Sequence, residues 1–138
     1  MDFFTAMEVS ASGLSAQRTR MNVSASNLAN VNTTQVLGGA GPYARKSVLV
    51  QSVPWPGAQA AGVNGVAVRQ IVADTNPPRL EYDPDHPDAD PQGYVAYPNV
   101  NPVEEMVDMI TASRAYEAGV TALSTSVSMA ERALGIGR

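Results

Sequence analysis

The chain of 138 residues has no cysteine, one histidine, one tryptophan and two phenylalanines. Without cysteine there are no disulfides, thiolate metal sites or cysteine nucleophiles, and the chain could enter an oxidising compartment without mispairing. With His86 as the only histidine, a histidine metal cluster is excluded, and a Ser-His-Asp arrangement has a single place to be built. No apolar run approaches the ~18 residues of a transmembrane helix. The net charge is −4 with no basic patch, which argues against nucleic-acid binding. The first residues, MDFFTAMEVS, carry Asp2 and Glu8 where a secretory signal carries Lys or Arg, and their apolar core is short. The expectation is therefore a cytoplasmic chain, or one exported without a cleaved signal. Large aliphatic residues are also few. Alanine (20) and valine (17) far outnumber leucine (7) and isoleucine (3), which suits thin helix seams and a small β unit better than a thick core.

What is present is concentrated at the two ends. In the C-terminal run from Asn99, Asn101 and Pro102 give an N-cap followed by proline at the first helical position. Glu104, Glu105 and Asp108 follow, where carboxylates favour the positive end of the helix dipole. Met106, Val120, Val127 and Leu134 occupy one heptad position, interrupted by Ser113. Met109, Tyr116, Leu123 and Ala130 occupy the position three residues later. This is a coiled-coil-type seam of four heptads. Gly135 and Gly137 are the expected helix stop. At the other end Met7, Leu14, Met21 and Leu28 are spaced by sevens, with Val9, Ala16 and Val23 broadening the stripe and Arg18 breaking the second row. The spacing predicts one helix of about 27 residues, roughly 40 Å long. Gly13 marks a possible close approach, and Asn27, Asn30 and Asn32 cluster where C-caps and turns are expected. Serines replace the usual Lys and Glu on the outer face, so other helices could approach closely.

Between the ends the period changes. Residues 45–53 read as a strand closed by Pro54-Trp55-Pro56-Gly57. Asn64-Gly65 reads as a hairpin turn leading into Val66–Ala73. Arg79–Tyr82 and Tyr94–Tyr97 read as short extended segments. The expectation is one small β unit of three or four strands. The Pro-rich acidic stretch from Glu81 to Gly93 raises the question of a calcium loop. It has no mid-loop glycine and no closing glutamate, so it reads as a stiff solvated loop with His86 as a turn residue. No catalytic constellation emerges. Glu104 and Glu105 are adjacent on a helix and point in different directions, and the glycines at 38, 39 and 41 lack the context of a phosphate loop. No enzyme, metal or cofactor is expected.

The fold class that follows is α+β: long terminal helices form an antiparallel coiled-coil-like pair, with a small irregular β unit between them. The divisions are 1–34, 35–98 and 99–138. A two-helix hairpin with one thin seam is marginal alone, because ordering the backbone costs ~1–2 kcal/mol per residue. Burial against neighbouring molecules would make up the deficit, so an assembly protein is the reading.

Ser12-Gly-Leu-Ser-Ala-Gln17 with Met21 and Asn27-Leu-Ala-Asn-Val-Asn-Thr-Thr34, together with Asn99-Val-Asn-Pro-Val-Glu-Glu-Met106 and Ser113-Arg-Ala-Tyr-Glu117, resemble the terminal signatures of the bacterial flagellar rod and hook proteins. In the middle, Gly41-Pro-Tyr-Ala-Arg-Lys46, Pro77-Pro-Arg-Leu80, Asp83-Pro-Asp-His-Pro-Asp88 and Gly93-Tyr-Val-Ala-Tyr-Pro98 are similar to the proximal-rod members of that family. Gly119 departs from the pattern, as does the stretch from Gln35 to Gly38. The resemblance implies a structural subunit of the flagellar drive shaft in the periplasmic basal body, exported unfolded through the flagellar secretion channel. Its implied partners are further copies, other rod subunits, the export apparatus and the rod-to-membrane-ring adaptor, with no nucleic acid and no direct membrane insertion. The residues expected at the assembly interface are Met7, Leu14, Met21, Leu28, Met106, Met109, Tyr116, Val120, Leu123 and Val127. Asn27, Asn30, Asn101 and Arg114 are expected as polar contacts that fix register. The rival readings are another axial subunit of the same family, and an amphipathic membrane-surface protein. The second wants more flanking cations than Arg18 and Arg20.

Overall fold

A computed structural model describes residues 3–39, 41–56 and 62–136. The order of elements is α1 (Phe3–Ala29), β1 (Lys46–Pro54), β2 (Asn64–Ala73), β3 (Arg79–Tyr82), β4 (Tyr94–Tyr97) and α2 (Pro102–Ile136). The α+β reading holds, with two long helices enclosing a β region. The helices run antiparallel. Asn27 meets Glu105, and Leu14, half the helix away, meets Gly119. The helix start at 101–102 is as expected. The Asn101 side chain accepts the amide of Val103 at 3.1 Å, and its carbonyl accepts that of Glu105. The expected stop is displaced, because α2 runs through Gly135 to Ile136. Gly137 lies outside the described residues.

The β region differs from the expectation of one small unit. β1 and β2 form one antiparallel hairpin, and β3 and β4 form another. Leu49 faces Gln70 while Val50 faces Val68, so Arg69 is an extra residue on β2 and bulges the ladder. Asn64 and Gly65 do not make the turn. They sit inside β2, paired with Pro54 and Val53. The reason is Trp55. A Cβ at residue 65 would lie 2.8 Å from the indole ring, so glycine here provides room for tryptophan rather than a turn. The indole N–H donates to Glu8 at 3.3 Å, and the Ser12 hydroxyl accepts the amide of Val66 at 3.1 Å. The first hairpin thus lies along α1, and part of the helix face expected to meet other molecules meets the chain's own strands. Covered on two sides, α1 buries Ala16 and Val23 more deeply than the row of sevens.

The loop between β3 and β4 turns its carboxylates on itself. The Asp90 carboxylate accepts the amides of Gln92 and Tyr94, and His86 Nδ1 accepts the amide of Asp88. Thr34 donates to Asp88 at 2.7 Å, which ties the loop to the segment after α1. Among the described residues no group of three or more His, Asp or Glu is placed to hold a metal ion, and no helix is long and apolar enough to cross a membrane.

Candidate functional site

α1, β1 and α2 meet at a buried hydrogen-bonded cluster. Asn27 and Glu105 are each 1% exposed. The Asn27 amide nitrogen donates to the Lys46 carbonyl at 2.8 Å and to Glu105 Oε2 at 3.0 Å. Its oxygen accepts the Lys46 amide and the Tyr43 hydroxyl, both at 2.9 Å. Every donor and acceptor of the side chain is used. Asn27 therefore acts toward Lys46 as one more step of a β ladder, although it belongs to a helix. Glu105 Oε1 accepts from Arg45 Nε at 2.6 Å, and Arg45 also reaches Ser47 at 3.3 Å.

Local sequence explains how these groups converge. Asn30 ends α1 by donating to the Ser26 carbonyl and accepting from Thr33, and the Tyr43 amide returns to the Thr33 carbonyl. That closed loop delivers Tyr43, Arg45 and Lys46 beside Asn27. On α2, the cap at Asn101 fixes the first turn, so that Glu105 points inward. Among the described residues no buried side-chain nitrogen or oxygen lacks a partner. A buried carboxylate deprived of its partner costs ~3–5 kcal/mol, so the cluster tolerates little change.

The expected interface residues are placed as follows. Met7, Leu14, Met21 and Leu28 on α1, and Met109, Tyr116, Leu123 and Val127 on α2, are half-buried. Met106 and Val120 are instead 43% and 42% exposed. At these two positions their row is turned outward, although Val127 on the same row is half-buried, and the row that faces α1 beside Met109 and Tyr116 starts at Glu105 and continues through Ala112 and Gly119. The closely approached glycine is Gly119, not Gly13, which has open space around it. Asn27 is a buried contact inside the helix rather than a cap. Asn30 and Asn101 serve the ends of their own helices, and Arg114 is exposed. Sequence reasoning missed Tyr43, Arg45 and the inward role of Glu105. The available signal was a carboxylate one residue off the apolar row, in a chain with few cations.

Two family models match the chain. The one described as flagella basal body rod protein covers residues 7–35, and the one described as flagellar basal body rod FlgEFG protein C-terminal covers 92–136. The first takes in most of α1 and the second takes in β4 and all of α2. The strands β1 to β3 are matched by whole-length relatives. The flagellar basal-body rod protein FlgC of Bacillus subtilis is 46% identical, with all of both chains covered. That of Borreliella burgdorferi is 45% identical over 99% of this chain and 98% of its own, and that of Yersinia enterocolitica 42% identical over all of both. The chain belongs to the FlgC family of flagellar basal-body rod proteins. As a FlgC-family chain it is a structural subunit of the proximal rod. The whole-length matches include the middle region and so decide against another axial member. The cluster at Asn27 joins the two stretches that the family models match separately.

Proposed function

We propose that this FlgC-family chain builds the rod by packing the outward face of its terminal helices against other rod subunits, further copies among them, in a helical array that transmits torque for motility. The observation that carries this is the outer face of α2. Val103, Val107 and Ile110, one helical row, are 66%, 57% and 51% exposed, and Met106 borders them. Their burial would contribute ~1.5–3 kcal/mol per side chain. A thin intramolecular seam beside an uncovered apolar row is the balance suited to a chain completed by neighbours. The same marginal stability suits export in an unfolded form without a cleaved signal, arrival in the periplasmic part of the basal body, and a non-enzymatic role. The rod-to-membrane-ring adaptor is a further expected partner.

Val107→Asp tests the surface. Val107 is 57% exposed on the side of α2 opposite Glu105, so the isolated chain should unfold at an unchanged urea concentration. Export should persist, while rod incorporation and swimming should be lost. Normal swimming would overturn the role of this face.

A further inference from the structure

The seam between the helices repeats itself. Leu14 packs on Gly119, and the residues one heptad to either side of Gly119 are Ala112 and Ser126, which are also small. Moving α2 along α1 by seven residues, so that Ala112 takes the place of Glu105, exchanges Met109, Tyr116 and Leu123 for one another along the row. Apolar groups still meet apolar groups, except that Ser126 comes under Leu14 in place of Gly119. The apolar contacts therefore discriminate poorly between the two registers. The connections bias the register without fixing it: more than seventy residues separate the end of α1 from the start of α2, and the Thr34–Asp88 bond between their flanking segments is an exposed one.

The cluster at the junction is the part that does not repeat. We infer that Asn27, Arg45 and Glu105 form a register latch that admits one alignment of the helices. In the slipped register Asn27 and Arg45 would face Ala112, which accepts no hydrogen bond from its side chain; one Asn27 N–H would lose its acceptor, and the guanidinium would lose its carboxylate and keep only Ser47. A buried polar residue that selects alignment at some expense of stability is a known device of coiled coils. Here the third member comes from a strand. Asn27 bonds both main-chain groups of Lys46, so the latch closes only when β1 is docked on α1. Alignment of the terminal helices is thereby made conditional on the first hairpin. The latch acts within one chain and stands independently of the assembly surface proposed above.

The absence of native cysteine makes the test direct. Nitroxide labels go on Ala11→Cys and Thr111→Cys, both exposed positions, and the distance between them is read by double electron–electron resonance in the full chain. A heptad slip lengthens their axial separation by ~10 Å. The parent should give one maximum. Arg45→Met with Glu105→Leu, which exchanges the ion pair for apolar groups, should keep its helical circular dichroism and add a second, longer maximum. Glu105→Gln is the milder variant and should show the same maximum at lower amplitude. Gly119→Ala perturbs the seam but not the latch and should leave the distance unchanged. A single unshifted maximum in both latch variants overturns the inference, as does a shift in Gly119→Ala. A broad distribution in the parent, or loss of helix in both latch variants, overturns it too, because the cluster would then not be choosing between registers.

Discussion

Leu14 on α1 occupies the space that a side chain at Gly119 on α2 would need. A Cβ built at 119 would lie 2.7 Å from Leu14 Cδ2 and 3.5 Å from its Cγ. Two effects therefore oppose each other at this position. Glycine in a helix interior costs ~1 kcal/mol relative to alanine, while filling a closed contact costs ~1–3 kcal/mol. The contacted atom is the end of a flexible side chain, so a methyl group can be accommodated. Gly119→Ala should change stability to urea by less than ~1 kcal/mol. Gly119→Leu should cost ~1–3 kcal/mol. Combining Gly119→Leu with Leu14→Ala should cost less than the sum of the two, with a coupling of ~0.5–3 kcal/mol. Strict additivity would mean that the two residues do not meet.

Asn27→Ala should be among the most damaging single changes in the chain. It leaves the Lys46 amide and carbonyl and one Glu105 oxygen without this partner, and the Tyr43 hydroxyl with only Ser26 Oγ at 3.4 Å. Each unpaired buried group costs ~1–3 kcal/mol, more when charged, and solvent entry relieves part of the total. A loss of ~3–5 kcal/mol is expected from equilibrium unfolding. Tyr43→Phe removes only the hydroxyl's bonds to Asn27 and, at 3.4 Å, to Ser26, and should cost ~1–2 kcal/mol. Equal losses for the two would contradict the geometry.

The single tryptophan makes the tip of the first hairpin visible by fluorescence. Trp55 is half-buried over Gly65, with its indole N–H on Glu8. Gly65→Val should push the ring off α1, red-shift its emission and speed amide exchange at Val66, whose N–H is held by Ser12. Glu8→Gln keeps an acceptor in place and should leave the emission maximum within the error of the measurement.

Much of this architecture is legible in the sequence because it rests on periodicity and local capping. The heptad row of α1, the row through Met109, Tyr116 and Leu123, and the cap at Asn101 each depend on spacings of a few residues. The places where the structure departs from the expected seam and turn have a common cause. Met106 and Val120 belong to an apolar row, and spacing alone does not say which of two adjacent rows faces a partner. The structure turns the row beginning at Glu105 inward because Arg45, sixty residues away, supplies the countercharge. Asn64-Gly65 has the composition of a turn, but Trp55 requires glycine there for room. The strands separate into two hairpins because their pairing is set by long-range contacts that single segments do not encode.

By itself the sequence determined the two helices, their antiparallel pairing, the short strands between them and, through its terminal motifs, the rod family. Those features follow from hydrophobic period, turn chemistry and family signature. Only the tertiary structure decided which faces are spent inside the chain and which remain for neighbours. It also brought Asn27, Tyr43, Arg45 and Glu105 to one point. Burying a carboxylate depends on the partners that surround it in space, and those partners come from three separate segments of the chain.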